Sequence, residues 1–369
     1  MKSKNILILV NHDIVIYNFR KELVQCLLRN GYNVWISSPS GERINTLIKM
    51  GCNYVETNIE RHGMNPFRDL QLFYTYARMI NYIRPFIILT YTIKPNIYGS
   101  LASYVRHTPC IVNITGLGQT MEGNTVKKKV VIALYKLALK HVRCIFFQNE
   151  ANKRVFEELN ICHGNTKILP GSGVNLEEFS VFPYPPPDTI EFAFIGRVMR
   201  DKGINEFLSA AKVISKQYNN VRFHVCGFCE ENYENILLDL EKNGIIVYHR
   251  MVEDIREILR LVHCTVLPSY HEGMANSLLE TAASGRPIIA SDIPGCRETL
   301  DDGVTGFKFK VKEVQDLIAV IKKFVELPYQ SKVDMGLRAR AKMEREFDRK
   351  IVIRNYMEEI QREDKRKEV

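Results

Sequence analysis

The chain has 369 residues, of which 46% are hydrophobic and 25% are charged. That length corresponds to about two domains, and the composition excludes a disordered chain, a fibrous repeat and a small disulfide-held module. The net charge of +9 lies in the first half, because residues 1–180 carry 22 Lys and Arg against 12 Asp and Glu, whereas residues 181–369 carry a net −1. A basic half suits a nucleic acid, an anionic membrane surface or a polyphosphate ligand, and is equally compatible with a solvated face.

Short β-rich runs alternate with helical patterns through the first half of the chain. This alternation is typical of βαβ units, which build a parallel sheet. We predict strands at Asn5–Val10, Asn33–Ser37, Tyr54–Ile59, Phe86–Tyr91, Cys110–Ile114 and Cys144–Gln148.

Residues 127–143 are predicted to form a helix with a basic stripe. The segment contains six Lys and Arg, no acidic residue, and a largely apolar remainder. Such a helix suits the headgroup region of an anionic leaflet, and the alternative is a core helix with one solvated edge. The basic residues are Lys127, Lys128, Lys129, Lys136, Lys140 and Arg143.

Four of the fourteen prolines lie within residues 183–187, where they prevent regular structure. The strand and helix alternation then begins again, so we predict two doubly wound α/β domains, residues 1–180 and 181–369, facing each other across a cleft. The charged tail, Val333–Val369, is predicted to be surface helix, and the C-terminal helices can also pack back on the first domain. Strands of the second domain are predicted at Ile190–Ile195, Val221–Cys226, Cys264–Pro268 and Pro287–Ala290.

Two further patterns bear on the class of protein. The nine cysteines are scattered singly except for Cys226 and Cys229, which lack the second Cys or His pair of a structural zinc site, so we expect reduced thiols. No apolar run approaches the roughly 18 residues of a membrane-spanning helix, and we expect neither a membrane span nor a secretion signal.

Ligands bind at the carboxyl ends of the strands in open α/β sheets, so the residues after each strand are the candidate sites. The first strand ends at Asn11-His12-Asp13 without a glycine, and Gly116-Leu-Gly118 lacks the third glycine of a dinucleotide fingerprint. Hydride transfer with a nicotinamide cofactor is therefore not predicted.

The first strand of the second domain ends at Gly196-Arg197, and Lys202-Gly203 precede the next helix. A glycine there lets a ligand approach the backbone. Arg197 and Lys202 can then hold a diphosphate beside the positive end of a helix. The alternative is a pair of solvated surface cations.

The strand ending at Pro268 leads into a loop that carries Glu272 and a helix that carries Glu280. Asn276 or Ser277 is predicted to cap this helix and to leave its first N–H groups free for an anion. Two carboxylates on either side of a phosphate site suit hydroxyl groups, one on a sugar and one on a ribose. A Glu early in a helix is also favourable for dipole reasons alone.

Together these motifs resemble those of retaining glycosyltransferase family 4, whose members have the GT-B fold of two Rossmann-like domains. In the first half, residues 91–96 and 113–118 resemble a bacterial branch that builds capsule, O-antigen or other lipid-linked glycans. The resemblance is carried mainly by Pro170-Gly-Ser-Gly-Val-Asn175, Gly196-Arg197, Lys202-Gly203, the pair Glu272 and Glu280, Pro294-Gly-Cys-Arg-Glu298 and Asp302-Gly-Val-Thr-Gly306.

The resemblance implies a role for each candidate. Arg197 and Lys202 neutralise the donor diphosphate, Glu280 binds ribose hydroxyls, and Glu272 lies against the donor sugar near its reacting centre. The sequence contains no Asp-x-Asp, so we expect a metal-independent enzyme without a cofactor. The predicted catalytic residues are Glu272, Arg197 and Lys202, and the predicted donor-binding residues are Gly196, Gly273, Met274, Ala275, Asn276, Ser277 and Glu280.

The sequence departs from the family pattern at three places. Thr115, before Gly116, stands where many members have a histidine. Residues 11–13 replace the glycine-rich turn that usually follows the first strand in this family. We therefore expect the backbone contact to the diphosphate to come from near Asn18 instead. Asn18, Thr115 and Gly116 are therefore the predicted acceptor and cleft residues. His263 stands where an aspartate is common and is predicted to be structural.

The predicted function is transfer of a Gal, GalNAc or GlcNAc type sugar from a UDP-sugar to a lipid-linked saccharide in bacterial surface polysaccharide biosynthesis. Retention of configuration is implied by the resemblance. We expect a cytoplasmic enzyme held peripherally on the anionic inner membrane face by residues 125–143. The alternative is a UDP-sugar 2-epimerase of the same architecture. Nucleic-acid binding is remote, because the cations cluster on one apolar helix without a known reader module.

Overall fold

The computed structural model describes residues 4–60, 65–117, 125–162 and 164–368. The chain divides into two compact units, Met1–Ser172 with Lys350–Val369, and Gly173–Arg349. The sequence placed the boundary after residue 180, whereas the units divide between Ser172 and Gly173 and the last twenty residues belong to the first unit.

The first unit contains a seven-stranded parallel sheet in the order β3-β2-β1-β4-β5-β6-β7. Its central strands are continuous apolar runs because helices cover both faces of the sheet. In β1, Leu7 and Leu9 enter one core while Ile6 and Ile8 enter the core on the opposite face. The strands are β1 (Asn5–Leu9), β2 (Asn33–Ser38), β3 (Asn53–Glu56), β4 (Ile87–Tyr91), β5 (Cys110–Ile114), β6 (Cys144–Phe147) and β7 (Thr166–Ile168).

Helices lie between these strands, as the sequence pattern predicts. A π-helical turn, Pro95–Gly99, leads directly into α5. The α-helices are α1 (Asp13–Phe19), α2 (Lys21–Arg29), α3 (Ile44–Lys49), α4 (Pro66–Ile83), α5 (Ser100–Val105), α6 (Val126–Leu139) and α7 (Glu150–Glu158).

The second unit contains a six-stranded parallel sheet in the order β10-β9-β8-β11-β12-β13. Both sheets are thus doubly wound, which confirms the predicted α/β class. The strands are β8 (Ile190–Ile195), β9 (Val221–Cys226), β10 (Val247–Arg250), β11 (Cys264–Leu267), β12 (Ile288–Ser291) and β13 (Gly306–Phe309). The helices are α8 (Ile204–Gln217), α9 (Glu234–Lys242), α10 (Ile255–Leu261), α11 (Asn276–Ala283), α12 (Val314–Glu326) and α13 (Tyr329–Lys342).

The final helix, α14 (Arg349–Glu368), corrects the expectation of a surface tail. Val352, Tyr356 and Ile360 recur every four residues and lie in the core of the first unit, with at most 2% of each residue exposed. Tyr356 also accepts a hydrogen bond from Asn113 Nδ2 at 2.8 Å. The many charges on the rest of the helix concealed this apolar stripe in the sequence.

Residues 181–186, which contain most of the proline cluster, have neither helix nor strand, as the prolines predict. The side chain of Arg286 holds this segment by hydrogen bonds. Its fully buried guanidinium donates to the carbonyl oxygens of Phe182 at 3.1 Å, Pro183 at 2.7 Å and Leu259 at 3.0 Å. One buried side chain therefore satisfies two carbonyl groups that the proline-rich segment cannot pair within a sheet, and it also ties that segment to α10 through Leu259.

Candidate active site

Three neighbouring strands of the second sheet deliver the candidate residues to one edge. β8 pairs with β11, and β11 pairs with β12, all in parallel, so their carboxyl ends lie at the same edge of the sheet. Gly196 follows β8, the loop with Glu272 follows β11, and Ser291 ends β12. This edge is where open α/β sheets bind ligands.

The structure brings Lys202 and Glu272 together. The Lys202 ammonium group forms an ion pair with the Glu272 carboxylate, and their side chains are 18% and 10% exposed. Ser269 Oγ also donates to Glu272 at 2.8 Å. Gly203, at φ 74°, ends the turn that carries Lys202, and a Cβ there would collide with the carbonyl oxygen of Pro268. Close packing of this turn against the β11 loop thus sets the ion pair.

Arg197 lies in a different environment from Lys202. Its side chain is 43% exposed and pairs with Glu230, in the loop after β9. The neighbouring Gly196 has open space where a Cβ would be, so a ligand can approach its backbone. The two predicted cations therefore each have a carboxylate partner of their own.

The start of α11 differs from the prediction. Its N-cap residue is Ala275, without a side-chain cap, and Asn276 and Ser277 are the first two residues of the helix. The cap position is held by the backbone instead, because Ala275 N donates to Gly295 O at 2.9 Å. Gly295 is at φ 84°, and a Cβ there would press on the carbonyl oxygens of Glu272 and Gly273.

The residues around this helix start divide into two kinds. Met274 and Ala275 are buried in an apolar core, so only their backbone groups can contact a ligand. Asn276 is different, because its Oδ1 is buried without a hydrogen-bond partner among the described residues. Ser291 Oγ, at the end of β12, is likewise buried and has no hydrogen-bond partner among the described residues. Unpartnered buried polar atoms at a strand edge suit a ligand that supplies the missing bonds.

Glu280 is the fifth residue of α11, and no described residue donates a hydrogen bond to its half-buried carboxylate. Burial raises the pKa of Glu280 to about 7, while the positive charge of Arg349 lowers it and the negative charge of Glu178 raises it further. In its ionised form, a carboxylate to which no described residue donates can accept hydrogen bonds from hydroxyl groups of a ligand.

In the first unit, the predicted acceptor residues lie on separate elements. Asn18 is exposed on α1, which follows β1. Thr115 and Gly116 are half-buried after β5, and β4 lies between these two strands. Among the described residues, no hydrogen bond joins Asn18 to Thr115 or Gly116. Gly118 lies outside the residues that the structure describes.

A polar pair that the sequence reasoning treated only as a departure lies at the end of β1. His12 Nδ1 is 2.7 Å from Asp13 Oδ1, and Asp13 is buried. Asp13 Oδ2 accepts a hydrogen bond from Arg43 N at 2.8 Å. A Cβ on Gly41 would collide with the Asp13 carboxylate, so a glycine is required beside it. The signal in the sequence that could have identified this pair is a histidine followed by an aspartate just after the first predicted strand.

His263 is structural, as predicted. The ring is buried, Nδ1 accepts from Glu191 N at 3.1 Å, and Nε2 is 3.0 Å from the carbonyl oxygen of Pro186. Burial lowers the pKa of His263, so the neutral ring with one donor and one acceptor fits these two partners.

Helix α6 packs one face into the core and exposes apolar side chains on another. Val131, Tyr135, Ala138 and Leu139 pack into the core, whereas Val126, Val130 and Leu137 are 78%, 42% and 62% exposed. Arg143 forms an ion pair with Glu363 at 2.6 Å, so it is not a free member of the basic stripe.

Three further observations concern metals, thiols and membrane spans. Within residues 4–60, 65–117, 125–162 and 164–368, no three His, Cys, Asp or Glu residues are grouped as a metal site. All nine cysteines have free thiols and form no disulfide bond. None of the described helices combines the length and apolar character needed to cross a bilayer.

Two protein families match the chain in sequence. The family described as "Glycosyl transferase 4-like" matches residues 5–149, and the family described as "Glycosyl transferases group 1" matches residues 177–342. The two matches together cover most of the chain, and each falls largely within one of the two sheets and its helices.

Two curated relatives extend these matches. The chain is 27% identical over 363 residues to the N,N'-diacetylbacillosaminyl-diphospho-undecaprenol alpha-1,3-N-acetylgalactosaminyltransferase of Campylobacter jejuni, covering 93% of this chain and 94% of that protein. It is 28% identical over 257 residues to the UDP-Gal:alpha-D-GlcNAc-diphosphoundecaprenol alpha-1,3-galactosyltransferase of Escherichia coli, covering 63% and 64%.

Solved structures share the fold over nearly the whole chain. A glycosyltransferase from Rickettsia africae superposes with a TM-score of 0.81 at 18% identity, covering 98% of this chain and 99% of that one. Anabaena HepE, in complex with UDP and glucose, superposes with a TM-score of 0.79 at 14% identity, covering 97% and 99%. These likenesses confirm the predicted architecture of two Rossmann-like domains.

Proposed function

The chain belongs to glycosyltransferase family 4, with the GT-B fold, and from this premise we propose that it transfers a hexosyl or N-acetylhexosaminyl group from a UDP-sugar to a lipid-linked saccharide. The observation that carries the proposal is the carboxyl edge of the second sheet. There the ion pair of Lys202 and Glu272 precedes a helix start whose Asn276 has an unpartnered buried oxygen.

We assign the donor diphosphate to this edge of the second unit. The Lys202 ammonium forms an ion pair with Glu272, and the Arg197 guanidinium forms one with Glu230. A diphosphate offers both cations a stronger anionic partner, so binding exchanges one ion pair for another. Lys202 is better placed for this than Arg197, because its low exposure reduces screening by water.

The reaction breaks the bond between the anomeric carbon of the sugar and the diphosphate oxygen, and it forms a bond from that carbon to an acceptor oxygen. Family resemblance implies that the new bond forms on the face that the leaving group vacates. Negative charge gathers on the departing diphosphate, where Lys202 and the first N–H groups of α11 stabilise it. The proton of the acceptor hydroxyl passes to a phosphate oxygen. Glu272, freed from Lys202, lies against the donor sugar.

The uridine end of the donor is assigned to Glu280. Its carboxylate has no donor of its own in the described structure, and two ribose hydroxyl groups can each donate to one carboxylate oxygen. This arrangement binds the nucleotide without contacting the reacting carbon.

The acceptor is assigned to the first unit, at the carboxyl edge where Thr115 and Gly116 follow β5. Both curated relatives described above are named for acceptors that carry a diphospho-undecaprenol group. We infer the same class of acceptor here and, from it, residence at the cytoplasmic membrane face. The exposed valine and leucine side chains of α6, with Lys129, Lys136 and Lys140, supply the surface for that attachment.

The test is incubation of the protein with radiolabelled UDP-sugars and GDP-sugars in the presence of membrane extract. We expect label from one or more UDP-sugars to enter the lipid fraction, with no transfer from GDP-sugars. Conversion of the donor to its 2-epimer without any requirement for the extract would support the epimerase instead. Absence of label in lipid from every donor would contradict the proposed acceptor class.

A further inference from the structure

The first unit contains an apolar groove of about 730 Å³ between α4, α5 and α6. We name it the α4–α6 groove. Its walls include Leu70, Phe73, Leu101, Tyr104 and Leu137. Leu70, Tyr104 and Leu137 are 52%, 52% and 62% exposed, so a large part of the wall is in contact with water. A volume of this size is enough for a ligand, and an apolar wall of this extent is costly to leave uncovered.

The acidic and basic residues that line the groove are Asp69, Lys140 and His141. Asp69 pairs with Lys94 at 2.9 Å, and the ring of His141 stacks on Tyr104 with centroids 4.2 Å apart. Lys140 precedes His141 at the carboxyl end of α6. The lining of the groove therefore offers mainly apolar contact, which suits a hydrocarbon chain.

A concentrated positive charge adjoins the groove. Val130 lines the groove, and the three residues before it on α6 are Lys127, Lys128 and Lys129. The first turn of α6 has no acidic residue, and none of these lysines forms an ion pair with a described residue. Three cations at the positive end of a helix repel one another and the helix dipole, so this turn is electrostatically complementary to an anion of high charge.

The start of α6 lies on the side of the sheet where substrates bind. The chain leaves β5 at its carboxyl end, passes Thr115 and Gly116, and then enters α6. Lys94, which follows β4, joins the groove to that same edge through its pair with Asp69. An anion at Lys127–Lys129 would therefore lie on the acceptor side of the first sheet, with the groove leading away from it.

We propose that the α4–α6 groove binds the isoprenoid chain of the acceptor while Lys127, Lys128 and Lys129 hold its diphosphate. This inference rests on the proposed function, which supplies a lipid diphosphate as substrate. A diphosphate joined directly to a hydrocarbon chain matches the order of charge and apolar wall along α6. A second copy of this chain would bring three more lysines to the same cluster and be repelled.

The test uses one saccharide diphosphate joined to chains of two lengths, a methyl group and a farnesyl group, in detergent-free solution without vesicles. We expect the wild-type protein to show a kcat/KM at least tenfold higher for the farnesyl acceptor. The groove variant carries Leu70→Glu and Leu137→Glu, two exposed positions where a carboxylate is compatible with folding. It should lose the preference for farnesyl and retain wild-type kcat/KM for the methyl acceptor. The matched control carries Leu261→Glu and Leu337→Glu, at two exposed leucines of the second unit, and should behave as wild type.

The outcomes separate this inference from the proposed function. Equal kcat/KM for both acceptors in the wild type, or an unchanged farnesyl preference in the groove variant, would overturn the groove while leaving transferase activity in place. Weaker vesicle binding of the groove variant with an unchanged farnesyl preference would identify a membrane surface instead and also overturn it. No transfer to either acceptor would contradict the proposed function itself. A farnesyl diphosphate photoprobe gives a readout besides activity, and we expect its label on α4, α5 or α6.

Discussion

Glu280 is the residue whose titration can report on nucleotide binding. Burial raises its pKa to about 7, and ribose hydroxyl groups bind the ionised carboxylate, so binding must release a proton below that pH. We expect the affinity for a UDP-sugar to be constant above about pH 8 and to fall as the pH decreases, by up to about tenfold per unit below pH 7. Isothermal titration calorimetry between pH 5 and 8 measures this dependence. Glu280→Gln should bind more weakly and without the slope, and an identical slope in that variant would remove the ribose assignment.

Lys202 and Arg197 are predicted to stabilise the leaving diphosphate. Loss of one preorganised electrostatic contact costs roughly 10²-fold in rate, so Lys202→Ala and Arg197→Ala should each lower kcat/KM by about that factor. We expect the larger loss for Lys202→Ala, because its side chain is 18% exposed against 43% for Arg197. Steady-state kinetics with Lys216→Ala as an exposed control provide the measurement. Losses of tenfold or less in both variants would mean that these cations are merely solvated.

The same two cations lead us to expect activity without a divalent metal. The sequence has no Asp-x-Asp, and Lys202 with Arg197 supplies the positive charge that a metal ion otherwise brings to a leaving diphosphate. The initial rate in excess EDTA should equal the rate without chelator. Complete loss of activity that magnesium or manganese restores would show that the leaving group is stabilised by a metal ion.

At the scale of elements, Arg286 makes the strongest prediction about stability. Its guanidinium is fully buried and donates to three carbonyl groups, two of them in the proline-rich segment. Arg286→Met removes all three donors and leaves buried carbonyls unpaired, at a cost of about 3 kcal/mol or more. Urea denaturation measures the change, with the exposed Arg222→Met as control. A loss below about 0.5 kcal/mol would show that water replaces the guanidinium.

The strands show which elements a sequence can predict. β1, β5, β8 and β9 were located within a residue, because buried central strands are continuous apolar runs. The strands that were missed are β7, β10 and β13, and each lies at the edge of its sheet. An edge strand buries fewer of its residues and has less of an apolar signature, as the exposed ends of β10 illustrate.

The helix start at the candidate site shows a different limit. Asn276 and Ser277 have the residue types of a cap, yet the cap position is Ala275 because Gly295 O holds its backbone from a loop twenty residues away. The pairing of Lys202 with Glu272 was likewise absent from the sequence reasoning, since it depends on how the turn before α8 packs against the β11 loop. Residue types at strand ends were predictable, whereas contacts between distant loops were not.

At the scale of the whole molecule, the strand and helix alternation predicted two Rossmann-like domains, and the structure confirms them. For the C-terminal helices the sequence left two placements open, a solvated surface and the first domain, and α14 belongs to the first unit. Its mean composition is dominated by charge, and only the spacing of Val352, Tyr356 and Ile360 reveals an apolar stripe. The sequence pattern therefore predicted the two sheets more accurately than it predicted the environment of the C-terminal helix.

Attachment of the whole protein to a membrane is the property that its uneven charge predicts. Lys129, Lys136 and Lys140 are exposed on α6 beside Val126, Val130 and Leu137. Each lysine contributes about 1 kcal/mol near an anionic surface, and the apolar side chains add shallow burial. We expect the protein to co-sediment with anionic vesicles at low salt and to be released as salt rises, since screening is strong beyond about 10 Å at 0.1 M.

The decisive comparison for this attachment holds the change in charge constant. One variant carries Glu at Lys129, Lys136 and Lys140, and its control carries Glu at Lys212, Lys216 and Lys242, three exposed lysines of the second unit. Both variants lose the same net charge, so a difference between them depends on where that charge lies. The α6 variant should remain in the supernatant while the control sediments with the vesicles. Equal sedimentation of the two variants would mean that net charge alone draws the protein to the membrane, and α6 would then have no special part in reaching the acceptor.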